Sequence, residues 1–261
     1  MILGFDIGNS ATKAAFFERE KCLETFTFKN ADVQSSEHIE YELKQLAGRY
    51  DIEAVGCVSV VPAVTDRLEE VVDGVFGLQL QRLTSASPVP LDVRYETLET
   101  LGVDRLACAV ASHILFGKTE NGATRAVIAL DAGTAVTTEV ITADGGYEGG
   151  SIAPGPDLMR LSLNYGTAQL PNVEMVIPES SIGTSTDTAI RSGIMFGFLD
   201  SVQAMIRRTI SVLDAPVYVV ATGGWAEWLS SRIPEIDRVE PKLVLHGVRL
   251  MMEHGRPPEP S

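Results

Sequence analysis

The chain has 261 residues, of which 45% are hydrophobic and 21% charged, a balance typical of a globular protein with one large or two compact domains. The formal net charge of −14 and the lack of basic runs argue against a nucleic-acid surface. No apolar stretch reaches the roughly 18 residues of a membrane span. Three scattered cysteines (Cys22, Cys57, Cys108) suggest neither disulfides nor a zinc site, so we expect a cytoplasmic protein without membrane or nucleic-acid partners.

The first half of the chain predicts an α/β domain. Residues 1–6 and 54–61 have the apolar character of buried strands, and residues 13–17 extend the first strand beyond a tight Gly-Asn turn. Helical spacing covers residues 37–48 and a second, more buried helix covers 106–116. This segment predicts a sheet with helices packed on it.

A linker at residues 117–124 separates this segment from the second half. We therefore predict an N-terminal domain at 1–117 and a C-terminal domain at 118–254, followed by a Pro-rich tail at 255–261 that we expect to be disordered. Within the second domain the pattern predicts these elements: a strand at 125–130, its hairpin partner at 137–142, a long helix at 187–210 and a buried strand at 217–221.

The two halves share a pattern. Residues 2–12 align without a gap on residues 127–137, and the acid, the glycine and a threonine coincide. A second pair of apolar segments, 54–59 and 217–222, follows in the same order. One such match could arise by chance in any α/β protein, but two in the same order favour a duplicated domain.

The repeated segment is suited to binding phosphate. Asp6 stands at a strand end and is followed by Gly8, which can adopt unusual backbone angles that turn N–H groups towards an anion. Lys13 adds a positive charge, and Thr134 adds a hydroxyl to the second copy, which begins at Asp131. We assign Mg²⁺ to Asp6, because Mg²⁺ prefers oxygen ligands and keeps several waters.

Two glycine-rich segments have both a functional and a structural interpretation. Gly223 and Gly224 end a strand and would let an adenine or ribose approach the backbone, although such a pair is more often only a turn. Residues 149–155 suit a loop that contacts a ligand or the opposite domain, and a simple surface loop explains them equally well.

Asp104 and Arg105 form an acid-base pair just before the predicted helix at 106–116. The carboxylate can accept a hydroxyl proton, and the guanidinium can bind an anionic group through two hydrogen bonds. From these residues alone a solvated ion pair is the favoured interpretation. The histidines lack metal-ligand spacing, and neither a nucleophile elbow nor a Walker loop is present, which disfavours hydrolase, zinc and P-loop chemistry.

Taken together, the motifs resemble the type III pantothenate kinase family, a branch of the actin-like ATPase superfamily. The resemblance covers residues 3–247 and rests most specifically on Gly102-x-Asp104-Arg105, placed between the two hairpins, together with the motif at 149–155. It implies two duplicated ribonuclease H-like domains facing an interdomain cleft, as in actin and hexokinase. It also makes a catalytic Asp104 preferable to the ion-pair interpretation.

The resemblance implies the reaction and its site. ATP would phosphorylate pantothenate to 4′-phosphopantothenate, the first step towards coenzyme A, with Asp104 as proton acceptor. The pantothenate residues would be Tyr95, Gly102, Val103, Asp104, Arg105 and, from a partner chain of a homodimer, Thr186. The ATP residues would be Asp6, Ile7, Gly8, Asn9, Ser10, Ala11, Thr12, Lys13, Thr134, Gly223 and Gly224. Asp131 matches the position associated with K⁺ or NH₄⁺.

Two departures from the family pattern are present. Ser10 replaces the usual threonine and keeps its hydroxyl, whereas Glu139 replaces the usual aspartate and lengthens a carboxylate by one methylene. Two alternatives stay open: a sugar or acetate kinase of the same superfamily, and an ATP-gated regulatory or accessory protein without catalysis.

Overall fold

The computed structural model describes residues 1–35 and 37–255, so of the predicted tail only Gly255 lies within the described residues. The first elements in chain order are β1 (Ile2–Ile7), β2 (Ala11–Glu18), β3 (Lys21–Lys29), α1 (Asn30–Ser35), α2 (Glu37–Ala47), β4 (Ala54–Ser59), α3 (Pro62–Phe76), β5 (Leu80–Arg82), β6 (Asp92–Val93) and α4 (Val103–Phe116). They are followed by β7 (Ala126–Ala132), β8 (Ala135–Ile141), β9 (Gly146–Pro154), α5 (Pro156–Gly166), α6 (Thr186–Ile210), β10 (Val217–Thr222), α7 (Ala226–Ser230), β11 (Arg238–Val239) and α8 (Leu243–His254).

The chain forms two compact units, which are Met1–Leu115 together with the chain from Lys242 onward, and Phe116–Pro241. The contiguous second domain predicted at 118–254 therefore differs from the second unit by one element, because α8 belongs to the first unit. No helix in the described part of the chain combines the length and apolar character needed to cross a bilayer.

The sheet of the first unit has the strand order β3-β2-β1-β4-β5, in which β2 is antiparallel to β1 and β3, while β4 and β5 run parallel to β1. Side chains alternate along β1: Leu3, Phe5 and Ile7 join the core that α1, α2 and α3 cover. The opposite face packs on α8, and a Cβ on Gly4 would lie 3.2 Å from Cγ1 of Val248.

The sheet of the second unit repeats this topology. Within it the strands lie in the order β11-β10-β7-β8-β9, with β7, β8 and β9 antiparallel and with β10 and β11 parallel to β7. The long helix α6 and the short α7 cover one face. The aligned segments 2–12 and 127–137 are the first hairpin of each unit, and 54–59 and 217–222 are the parallel strands beside them. The predicted pair of ribonuclease H-like domains is therefore confirmed.

The glycine-rich segment at 149–155 is not a loop, because residues up to Pro154 form β9. Gly150 lies so close to the β8 backbone that a Cβ would clash with the carbonyl oxygen of Thr138. The register of the two strands shifts between Val140 and Ile141, and Gly149 has φ of 97°. These glycines therefore mark an irregular strand rather than a turn.

Gly247 allows α8 to approach α4 closely. A Cβ on it would lie 2.0 Å from the carbonyl oxygen of Ala107, a backbone atom that no rotamer change can move. We expect Gly247→Ala to destabilise the protein by about 3 kcal/mol, the upper end of the usual cost of overpacking. Thermal unfolding followed by circular dichroism should give a Tm lower by roughly 5–10 °C.

The matched control for this prediction is Gly74→Ala in α3, where an added Cβ meets nothing within 4 Å. Alanine is the better helix former, so this variant should keep or slightly raise the Tm. Equal Tm values for the two variants would contradict the close approach of α8 and α4.

Candidate active site

The turn between β1 and β2 carries the first predicted phosphate site. Its backbone closes through a hydrogen bond of 3.1 Å from Gly8 N–H to the Ala11 carbonyl oxygen. Asn9 and Ser10 are exposed at its tip, whereas the Ile7 side chain is buried in the core. Ile7 can therefore contribute only its backbone to a ligand, and the tip offers backbone N–H groups and two short polar side chains.

Asp6 and Lys13 lie beside this turn at directly paired positions of β1 and β2. Side chains at paired positions lie on the same face of a sheet. For Asp6 and Lys13 this is the face on which Gly4 packs against α8. Both residues are half-buried. A carboxylate and an ammonium group next to exposed backbone donors suit Mg²⁺ and phosphate respectively.

Thr12, which is predicted to contact ATP, has its side chain on the other face of the sheet. Its side chain is fully buried, and its hydroxyl donates a hydrogen bond of 3.0 Å to Oδ1 of Asn30. The side chain can therefore support the turn without reaching a ligand. Asn30 was missed by the sequence analysis, because it lies far along the chain and no local motif marks it.

The start of α4 brings together the predicted pantothenate residues of the first unit. The helix starts at Val103, so Asp104 and Arg105 lie inside it and not before it. Arg105 is buried, and its guanidinium carbon is 5.7 Å from the centre of the Tyr95 ring. Val103 is also buried, whereas Asp104 and Tyr95 remain half-exposed. The cluster thus offers a carboxylate, a cation and an aromatic surface.

Gly102 leaves room for the observed orientation of the Asp104 carboxylate. Oδ1 of Asp104 accepts a hydrogen bond of 2.9 Å from the N–H of Arg105. In this orientation Oδ1 would be only 2.6 Å from a Cβ at position 102, so any side chain there would displace it. The glycine therefore matters for this orientation of the carboxylate, whereas its own backbone angles are open to other residues.

The second predicted phosphate site is the turn between β7 and β8. Gly133 N–H donates to the Ala135 carbonyl oxygen at 3.0 Å, and Gly155 N–H donates to the Thr134 carbonyl oxygen at 3.0 Å. A Cβ on Gly155 would be 2.4 Å from the carbonyl oxygen of Gly133. Only glycine fits at position 155, and its function is to hold this turn, whose Thr134 side chain is exposed.

Asp131 lies between two threonines, since it pairs with Thr137 on β8 and with Thr222 on β10. Gly223 follows with φ of 92°, and a Cβ on it would be 2.5 Å from Oδ1 of Asp131. Gly224 is exposed. The second copy therefore pairs its aspartate with threonines on both neighbouring strands, where the first copy pairs Asp6 with a lysine on β2.

Thr186 is in the first turn of α6. It borders an open cavity of about 620 Å³ within the second unit. The other lining residues are Met159, Ser162, Leu163, Leu170, Ala189, Ile190, Gly193 and Ile194. Thr186 is the only predicted site residue among them, and this wall is mainly apolar.

Metal ligands are sparse. The described residues contain no group of three or more His, Cys, Asp or Glu side chains arranged to hold a metal ion. A Mg²⁺ at Asp6 would therefore take its remaining ligands from water and from phosphate oxygens, which is how Mg²⁺ is commonly bound in phosphoryl-transfer enzymes. The donor set fits such an ion.

Comparisons with known proteins agree over nearly the whole chain. The family model for type III pantothenate kinase matches residues 2–208. Type III pantothenate kinase 1 of Symbiobacterium thermophilum is 34% identical and covers 98% of each chain, and the type III pantothenate kinase of Moorella thermoacetica is 31% identical over 98% of this chain and 100% of its own. A solved Baf family protein from Campylobacter jejuni has a TM-score of 0.56 at 18% identity, covering 96% of this chain and 97% of its own, and shows the same fold. The chain belongs to the type III pantothenate kinase family.

Proposed function

We propose that this chain transfers the γ-phosphoryl group of ATP to the primary hydroxyl of pantothenate, giving 4′-phosphopantothenate and ADP. Membership of the family supports the activity and its place at the start of coenzyme A synthesis. The observation that carries the site assignment is the Asp104 carboxylate, which the missing side chain of Gly102 leaves free to lie at the start of α4 beside the buried Arg105.

In this mechanism Asp104 accepts the hydroxyl proton. Phosphoryl transfer passes through a loose transition state, so alignment and charge stabilisation contribute more than early deprotonation. Arg105 binds the carboxylate or amide end of pantothenate, and its contact with Tyr95 limits the directions in which the guanidinium can turn. Val103 and Tyr95 provide apolar contact for the chain of the substrate.

ATP binding is assigned to both copies of the hairpin. In the first unit, the backbone of residues 7–11 binds phosphate oxygens together with Lys13, and Asp6 binds Mg²⁺, directly or through water. In the second unit, Thr134 binds phosphate, and the backbone at Gly223 and Gly224 accommodates the adenosine. Bound Mg²⁺ would neutralise charge that develops on the phosphates.

We assign a monovalent cation, K⁺ or NH₄⁺, to Asp131; the threonines at the paired positions of both neighbouring strands support this, because their hydroxyl groups are neutral oxygen ligands. Asp131→Asn should raise the K⁺ concentration for half-maximal activity by about ten-fold or more, since it removes the only formal charge among these ligands. A K⁺ titration of turnover measures this. Asp214→Asn, an exposed change in the same unit, should leave the titration unaltered, and an unaltered titration for Asp131→Asn would contradict the assignment.

We also propose a homodimer in which Thr186 reaches the pantothenate of the partner chain. Thr186 borders an open, largely apolar cavity, which supports this proposal. An exposed apolar surface of one chain is commonly buried by contact with a second chain. Light scattering should give about twice the chain mass of 28.1 kDa. If the protein were a fully active monomer, the assignment of Thr186 to the pantothenate site of a partner chain would be wrong.

The acceptor is tested by ADP release with ATP and Mg²⁺, comparing pantothenate, glucose, acetate and no acceptor, in K⁺ and then in Na⁺. Of these acceptors, we expect only pantothenate to give turnover, and only in K⁺. Turnover with glucose or acetate would reassign the substrate within the same superfamily. No turnover with any acceptor would favour a regulatory protein.

A further inference from the structure

Asn30 forms two hydrogen bonds to the turn between β1 and β2 and a third to the start of β2. Its Nδ2 donates to the carbonyl oxygens of Gly8 at 2.8 Å and Asn9 at 3.0 Å, and its Oδ1 accepts from the Thr12 hydroxyl at 3.0 Å. It is the first residue of α1, so a helix in the core anchors the side chain. One amide thus ties both sides of the turn to a fixed element.

These bonds determine where the turn can place its own donors. In a trans peptide the C=O and the following N–H point in opposite directions, and the described residues contain no cis peptide. Holding the Gly8 carbonyl towards Asn30 therefore turns the N–H of Asn9 away from it. Holding the Asn9 carbonyl does the same to the N–H of Ser10. Both N–H groups lie at the exposed tip assigned to phosphate.

In the second copy of the hairpin, different atoms hold one of the two corresponding carbonyl oxygens. Thr134 aligns with Asn9, and its carbonyl oxygen accepts from Gly155 N–H at 3.0 Å. Two positions earlier, at the aligned pair Ile7 and Ala132, the carbonyl oxygen also accepts a backbone N–H in each copy. A donor from outside the hairpin therefore holds the turn in both units. In the first copy this donor is the Asn30 side chain, and in the second it is the backbone of Gly155.

We propose that Asn30 is a positioning residue for ATP, which acts by orienting the backbone N–H groups of Asn9 and Ser10 towards a phosphate. This rests on the proposed binding of ATP by the first hairpin. Asn30 does not touch the reacting atoms, and its effect is on the affinity for the phosphates of ATP rather than on pantothenate. The affinity for the adenosine part of the nucleotide should not depend on Asn30.

Two variants of Asn30 separate this role from a purely structural one. Asn30→Ala removes all three hydrogen bonds, whereas Asn30→Asp keeps an acceptor for Thr12 and a residue suited to a helix start, and loses only the two donated bonds. We expect both variants to weaken Mg·ATP binding roughly 10- to 100-fold. The KM for pantothenate and the Kd for adenosine should change by less than about two-fold.

Binding is measured by calorimetry without an acceptor, at a temperature where circular dichroism shows each variant folded. Ile39→Val, which trims a fully buried side chain of α2, controls for lost stability and should bind Mg·ATP like the wild type. Wild-type affinity in Asn30→Asp would overturn the inference, because binding would then not need the two donated hydrogen bonds. Wild-type affinity in Asn30→Ala would also overturn it, because any loss of affinity in Asn30→Asp would then be due to the added negative charge. If the wild type bound Mg·ATP but did not turn over pantothenate, the proposed substrate would be wrong. The comparison of Mg·ATP affinity between the wild type and the Asn30 variants would still test the role of Asn30.

Discussion

Replacing Asp104 by asparagine should lower kcat by about 10²–10⁴-fold, the usual contribution of a general base. The carboxamide keeps an oxygen that can accept from the N–H of Arg105, so the local geometry and the Tm should be preserved. The KM for ATP should stay within about two-fold, because this residue is not assigned to the nucleotide. Steady-state kinetics with each substrate varied in turn measure these three quantities.

A carboxylate that is exposed elsewhere in the same unit provides the control. Asp73→Asn in α3 makes the same chemical change and should leave kcat near the wild-type value. If Asp104→Asn retained more than about a tenth of wild-type turnover, Asp104 would not be the proton acceptor. A loss confined to the KM for pantothenate would instead make it a binding residue.

Gly102→Ala should reduce kcat by about 10²-fold, because the new Cβ would lie 2.6 Å from Oδ1 of Asp104 and displace it. A shift of about 1 Å in a catalytic group commonly has an effect of this size. The carboxylate is half-exposed and free to rotate towards solvent, so we expect a much smaller effect on Tm than for Gly247→Ala. Kinetics and thermal unfolding of the same preparation separate the two effects.

Gly74→Ala again serves as the control, since its Cβ meets nothing within 4 Å and its helix carries none of the assigned residues. We expect unchanged kinetics. Activity of Gly102→Ala equal to that of the wild type would mean that the observed carboxylate orientation is not the one used in catalysis.

The two hairpins and their parallel strands could be predicted from the sequence because their physical causes are local. A short apolar run that ends in Asp-x-Gly specifies a buried strand and a turn, and its repetition at 2–12 and 127–137 gives the duplication. The acid-base pair at Asp104 and Arg105 was equally visible. Its function was not, because a solvated ion pair has the same sequence, and only the family resemblance favoured catalysis.

The features that were missed depend on contacts between distant parts of the chain. Asn30 binds a turn that lies far from it in sequence, and α8 returns to the first sheet because Gly4 and Gly56 leave room for it. Nothing local marks either role. The segment at 149–155 misled for a related reason: glycine in a loop and glycine at the close approach of two strands are alike in sequence, and only the partner strand distinguishes them.

The product of the reaction tests the central claim most directly. The protein would be incubated with pantothenate, Mg²⁺, K⁺ and ATP labelled with ³²P in the γ position, and the product analysed by mass spectrometry and ³¹P NMR. We predict that label moves from ATP to pantothenate and that the phosphorus couples to the methylene protons of the former primary alcohol. Label released only as inorganic phosphate, or retained in ATP, would contradict the proposed transfer.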